Sequence, residues 1–398
     1  MPKFARRISN MQASADVIRQ LFESMSDPET ISFGGGAPAR EALPVEKIHD
    51  IADEVLTRDK RGIQALQYGN PMGLPDLRQA VIERLLKPKG LNAGMDDVLI
   101  VSGGIESMNL VSQLYLEPGD VVLVEAPTFV QAVQIFQLFE ATVIPCETDN
   151  SGLVIEDVEA KIKKFSPKMV YVIPTFQNPS GRTTSLERRK ALAELGSRYD
   201  VIILEDDPYS EMRYSGETLP PVKSFDKTGH TIFVNSFSKI FSPGSRLGYI
   251  YANNDIIRKV YDIKTATNSH ASVLAQVICA EFFNRGLYEP HLKKIRDIHR
   301  ERRDVMMECI KTMLPDEIKS VYPDGGLFTW VELPRKVNTT SLLADALAQK
   351  VAYVPGREFF VEDRDNHDNC MRISFGGILP DKIRIGMERL ANVIKKTL

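Results

Sequence analysis

The sequence predicts an α/β fold in which a parallel sheet is covered by helices on both faces, followed by a smaller α+β region. Two observations carry this. Runs rich in Val, Ile and Leu alternate with amphipathic stretches through the middle of the chain, and from about residue 290 the texture changes to one long helix followed by strand-like segments. Aliphatic runs buried on both faces belong to parallel sheets, which place ligands at the carboxyl ends of their strands.

Taken in order, "DDVLIVSGG" (96–104) precedes the helical pattern "IESMNLVSQLYL", and "DVVLVEAP" (120–127) precedes "FVQAVQIFQLF". "MVYVIPT" (169–175) precedes "SLERRKALAELGSRY", and "VIILEDD" follows at 201–207. Beyond these, "HLKKIRDIHRERRDVMMECIKTML" reads as one helix, "GGLFTWVELP" and "CMRISFGG" as strands, and "KIRIGMERLANVIKK" as a closing helix. The expected division is a large domain over 46–285 and a smaller one from 1–45 with 286–398. No internal repeat or low-complexity tract interrupts it.

Composition removes several function classes. With 398 residues, 43% apolar and 26% charged, the chain can bury a sizeable core, and a net charge of −3 offers no basic excess to track a nucleic-acid backbone. No apolar run reaches the roughly 18 residues of a membrane span, and the basic N-terminus lacks the apolar core of a signal peptide. Four cysteines lie far apart with no C-x-x-C pair, so neither a disulfide framework nor a metal knuckle is expected, and the expected location is cytoplasmic. No metal is expected.

The strand ends hold the chemistry-bearing residues. Gly103 and Gly104 lie between a strand and a helix starting near Ile105, where free N–H groups favour a phosphate, although such a pair also serves as a plain tight turn. Asn178 sits in the turn-forming "QNPSG". Asp206 and Tyr209 lie three residues apart in "EDDPYSEM"; a carboxylate closing so apolar a strand is partly buried and wants a cation, whereas a mere helix cap would not. In "NSFSKIFSPGSRLGYI" (235–250) Lys239 is flanked by Phe237, Ile240 and Phe241, a poor setting for a solvated ammonium, so it either pairs with an acid or does chemistry as an amine.

The ordered set "ISFGGGAP", "LQYGNPMGLPDLRQA", "EAPTF", "QNPSG", "EDDPY", "SFSKIFSPGSRLGY", "PDGGLFTWVELP" and "MRISFGG" resembles the fold-type I pyridoxal phosphate enzymes, class I/II aminotransferases, in the branch of aminoadipate and kynurenine aminotransferases. The resemblance implies an aspartate-aminotransferase-like fold with a mostly parallel seven-stranded sheet. It implies pyridoxal 5′-phosphate as cofactor, with Lys239 forming the Schiff base to its aldehyde and Arg246, Ser236, Ser238 and the Gly104–Ile105 backbone holding its phosphate. Asp206 would keep the ring nitrogen protonated, Tyr209 and Asn178 would bond the ring's phenolic oxygen, and Phe129 would stack on the ring in place of the tyrosine many relatives carry.

On the substrate side the resemblance gives Arg372 to the α-carboxylate and Gly36 to close approach of backbone, and counts Asn178 among the substrate contacts as well. It gives Arg19 to a side-chain carboxylate, against the alternative of a solvated arginine on an amphipathic helix. Tyr68 would reach the phosphate of a neighbouring subunit, implying a homodimer with shared sites.

The implied reaction moves an amino group from an α-amino acid to a 2-oxo acid, 2-oxoglutarate or pyruvate, in two half-reactions. A lyase or cyclopropane-forming synthase of the same fold is an alternative that these motifs do not separate. A cofactor-sensing regulator is disfavoured, because only about 30 residues precede "ISFGGG", too few for a DNA-binding module. A cofactor-free protein with a buried Lys239–Asp206 ion pair is the structural alternative.

Overall fold

The computed structural model describes residues 3–5, 7–8 and 27–398. At its centre lie seven strands: β1 Val98–Val101, β2 Val121–Glu125, β3 Thr142–Cys146, β4 Met169–Val172, β5 Ile202–Asp206, β6 Thr231–Ser236 and β7 Gly248–Tyr251. They are arranged β1-β7-β6-β5-β4-β2-β3, and only β7 runs antiparallel to its neighbours. The four strands expected from the aliphatic runs are all present. The aliphatic pattern does not report direction, so the reversed β7 is visible only in the register of Gly248–Tyr251 against Val101–Val98.

Strands β1, β4, β5 and β6 are buried along their whole length, and each fully buried Val, Ile or Leu contributes about 1.5–3 kcal/mol of burial. The helices covering them stop where the sequence says they should. Leu186–Tyr199, for example, begins at Ser185, whose hydroxyl accepts from Arg188 N–H, and ends on Asp200 in the left-handed conformation.

Beyond the sheet, the helix Tyr288–Met313 packs against the closing helix Pro380–Thr397. A four-stranded antiparallel sheet follows the long helix: β8 Lys319–Ser320, β9 Phe328–Glu332, β10 Val354–Pro355 and β11 Cys370–Ser374, in the order β8-β9-β11-β10. The segment from residue 27 joins this region, because Ile31–Ser32 pairs in parallel with Val351–Ala352. The long helix fastens it further: His299 Nε2 accepts from Ala39 N–H at 3.2 Å while its Nδ1 bonds Ile295 O at 2.8 Å, and Arg302 reaches Glu41. Burial lowers the His299 pKa to about 4, so this neutral imidazole keeps its acceptor at physiological pH. Residues 34–37 are thereby held over the carboxyl edge of the central sheet. Among the described residues no helix is long and apolar enough to cross a membrane.

Candidate active site

A cleft of about 460 Å³ opens at the carboxyl edge of the central sheet, lined from below by β4, β5 and β6 with their following loops and from above by residues 34–37, β10 and β11. At one end the helix Gly104–Tyr115 presents its free N-terminal N–H groups. Gly103 precedes it with φ +91°, and a Cβ there would stand 2.6 Å from Arg246 Nη2. Only glycine suits both the turn and the close approach. Arg246 is exposed, also left-handed, and makes only long contacts of 3.4 and 3.5 Å to Pro243 O and Ser102 O, so its guanidinium is little committed. The Ser236 hydroxyl bonds that of Ser238 at 2.9 Å and accepts from Ser238 N–H at 3.2 Å. Ile105, Ser236, Ser238 and Arg246 all face the cleft.

Lys239 enters the middle of the cleft. Phe237, Ile240 and Phe241 bury themselves in the core behind it, so the apolar flanks anchor the backbone while the amine stays reachable. Its Nζ donates to Gly36 O at 2.7 Å. Burial first, then the positive fields of Arg246 and Arg372, lower its pKa to about 8, so a useful fraction is free amine near neutrality. It forms no ion pair with Asp206, and the structural alternative of a buried pair between them fails.

Asp206, at the end of β5, is buried and bonded at Oδ2 by the Tyr171 hydroxyl at 2.9 Å. Burial pushes its carboxyl up to about 7; the Tyr171 bond works against this, and the Asp207 charge adds to it. Among the described residues no lysine or arginine pairs with it. Strand alternation explains why Asp206 alone of the three acids faces the cleft: Glu205 accepts from Val222 and Lys223 N–H at 2.8 Å each, and Asp207 is bound by the Ser210 hydroxyl beside the Lys89–Glu211 ion pair.

Tyr209 is buried edge-on to Phe328, and Asn178 Oδ1 accepts from Arg372 Nη1 at 2.9 Å. Arg372, on β11, also donates to Gly34 O and lies 4.4 and 5.0 Å over the rings of Phe328 and Phe359, while its Nε has no partner. No carboxylate of the described residues pairs with it, and burial lowers its pKa to about 10. A buried guanidinium stacked between rings with an unsatisfied N–H is a receptor for a planar anion. Gly36 supplies the Lys239 contact, and a Cβ there would press on Phe328 at 3.2 Å. Phe129, at the start of the helix Val130–Leu138, lines the cleft.

The structure does not bring Tyr68 to this cleft. It is 87% exposed, with its ring edge on His270. Arg19 lies outside the described residues. Sequence reasoning missed Tyr171 and Glu125. Tyr171 reads as one more core aromatic, and only the register of β4 against β5 puts its hydroxyl on Asp206. Glu125 closes β2 and accepts from Ile173 N–H at 2.9 Å; burial pushes it up to about 8, so it adds no second full charge beside Asp206 at neutral pH.

A lowered-pKa amine, a buried carboxylate lacking a cation, and an unpaired guanidinium around one cleft suit an enzyme that acts on amino acids through a carbonyl cofactor. Residues 30–390 match aminotransferase class I and II, and the chain belongs to that family. It is 38% identical to aromatic-amino-acid aminotransferase 1 of Thermococcus litoralis over 99% of this chain and 94% of that protein. It is 31% identical to the 2-aminoadipate transaminase of Thermus thermophilus over 99% and 97%. The crystal structure of kynurenine aminotransferase from Pyrococcus horikoshii, 38% identical, superimposes with a TM-score of 0.93 over 99% of this chain and 97% of that one.

The protein is thus an aminotransferase acting on amino acids, with pyridoxal phosphate as cofactor. The cleft fits that group on its own evidence: the Gly103 turn leaves room beside the loosely held Arg246, and Asp206 has no cation of its own.

Proposed function

We propose that Lys239, Asp206 and Arg372 divide the work of a two-half-reaction amino transfer. The observation that carries this is Lys239 itself: an amine of lowered pKa that opens into the same cleft as the unpaired Arg372 guanidinium. Pyridoxal phosphate, when bound, supplies the aldehyde that takes up the amino group and a ring that accepts electron density as the Cα proton leaves. Lys239 Nζ would be the group that holds the cofactor's aldehyde carbon, and its amine, once freed by the incoming amino acid, would take the Cα proton. Asp206 would keep the ring nitrogen protonated, and the Tyr171 hydroxyl fixes the carboxylate for that role. Arg246, Ser236, Ser238 and the N–H groups at Gly104 and Ile105 would hold the phosphate, with Gly103 leaving the space; Phe129 would cover the ring, and Tyr209 with Asn178 would bond its phenolic oxygen. Arg372 takes the α-carboxylate, with Gly36 letting backbone lie close by.

The second substrate is a 2-oxo acid such as 2-oxoglutarate or pyruvate. The walls of Phe129, Phe328 and Phe359, and relatives named for aromatic amino acids and kynurenine, favour a bulky donor. Cofactor-loaded enzyme mixed with an amino acid alone is expected to release one 2-oxo acid per site and stop, resuming only when a second 2-oxo acid is added. A lyase or synthase of this fold would instead turn over continuously with the amino acid alone, and that outcome would overturn the assignment.

The sheet-centred part, 46–285, is proposed as the cofactor domain, with 1–45 and 286–398 as the smaller domain. We further propose a homodimer. Leu66, at 81% exposure, stands beside the exposed Tyr68 and near Ile63, an apolar surface out of place on a monomer and well placed to meet a second copy. Sedimentation at micromolar concentration is expected to give twice the chain mass, and Tyr68→Phe to weaken cofactor binding by about tenfold through one lost phosphate hydrogen bond. A fully active monomer would sink this. The four cysteines are buried and unpaired, which supports a reducing, cytoplasmic setting.

A further inference from the structure

We propose that Glu358 selects the amino donor by its side chain, favouring one that ends in an ammonium or another hydrogen-bond donor and rejecting one that ends in a carboxylate. This rests on the assignment of the cleft as the donor site with Arg372 at the α-carboxylate. Glu358 lies in the single-turn helix Gly356–Phe359 that follows β10. It is only 7% exposed, yet it lines the cleft together with Phe129, Val130, Gln131, Val354 and Phe359. Its sequence neighbour Phe359 carries the Arg372 guanidinium 5.0 Å over its ring, so the carboxylate belongs to the same compartment as the proposed α-carboxylate receptor.

Among the described residues Glu358 makes no hydrogen bond and no ion pair. The nearby arginines are committed elsewhere: Arg357 pairs with Asp365 at 3.1 Å and Asp368 at 3.2 Å, and Arg364 donates to Phe360 O at 2.9 Å. Burial accordingly raises the Glu358 pKa, with the fields of Arg364 and then Arg357 only opposing the shift. An unpaired acid in an apolar sleeve is costly by itself, and a ligand that brings a donor to it removes that cost. A ligand that brings a second carboxylate adds like-charge repulsion in a partly desolvated space. The expectation for Arg19 points the other way, toward acidic donors, so the two assignments predict opposite preferences.

Hexanoate, 6-aminohexanoate and adipate present the same carboxylate to Arg372 and differ at the far end as methyl, ammonium and carboxylate. Their dissociation constants from the cofactor-loaded enzyme are to be measured by calorimetry. The wild type is expected to bind 6-aminohexanoate at least about tenfold more tightly than adipate, as a close charge pair requires, and Glu358→Gln to bring that ratio within about threefold while leaving hexanoate unchanged. If adipate binds the wild type as tightly as 6-aminohexanoate, the proposal is overturned, and this result needs no variant. An equal ratio in wild type and Glu358→Gln also overturns it. Hexanoate binding that survives Arg372→Ala undiminished would remove the donor-site assignment itself and the proposal with it; hexanoate binding that depends on Arg372, with no charge preference, would remove Glu358's role alone.

Discussion

Lys239→Ala is expected to leave a folded protein that no longer turns over. Losing proton transfer alone removes about 10²–10⁴-fold in rate, and the same substitution removes the proposed covalent anchor of the cofactor. The amine has no understudy: the ammonium groups of Lys89, Lys223 and Lys264, whose side chains are also largely buried, are bound to Glu211, Asp226 and Glu106. The wild type should also carry a pH signature. With the Lys239 pKa at about 8, the rate at which cofactor-free enzyme takes up the aldehyde rises about tenfold per pH unit below 8 and levels off above it. An ordinary lysine would keep gaining to about 10.4. Stability follows the same group: its folded pKa lies below the unfolded one, so burying it costs stability below about pH 8. That cost is relieved as pH rises toward the unfolded value, and the cofactor-free protein gains stability over that window. Turnover by Lys239→Ala within tenfold of wild type would overturn the assignment.

Asp206→Asn is the second large effect. The change keeps the shape and the Tyr171 contact but removes the carboxylate charge proposed to face the ring nitrogen. Cofactor should still bind, more weakly, while Cα deprotonation in a single turnover slows by at least about 10²-fold, the usual loss when a preorganised electrostatic stabiliser is removed. Retention of the wild-type single-turnover rate would reduce Asp206 to a structural acid. Glu205 and Asp207 could not take its place, since their carboxylates are bound by backbone N–H groups on one side and by Ser210 on the other.

Much of this site was legible in the sequence for one physical reason: a parallel sheet gathers its strand ends along one edge. Gly104, Asn178, Asp206 and Lys239 are far apart in the chain and each closes or follows a strand, so they meet without any contact having to be guessed. What stayed hidden depends on register and on which way a side chain turns. Tyr171 sits inside an aliphatic run, and its hydroxyl finds Asp206 only because β4 and β5 are paired as they are. Lys89 meets Glu211 across 122 residues, with nothing in "KPKG" to signal a buried ammonium. Glu358 stands in "PGREFF" among residues that read as a turn, and its entry into the cleft is decided by the single-turn helix after β10. The reversal of β7 was likewise silent, since an aliphatic strand looks the same in both directions.

The central assignment is the bond between Lys239 and the cofactor, and hydride reduction of the loaded enzyme tests it most directly. Borohydride converts a carbon–nitrogen double bond at Lys239 Nζ into a stable secondary amine, which peptide mass spectrometry can locate. One reduced cofactor per chain, attached to Lys239 in the stretch "NSFSK", is the expected result. An adduct on another lysine, or none from enzyme that carries a full complement of cofactor, would contradict it.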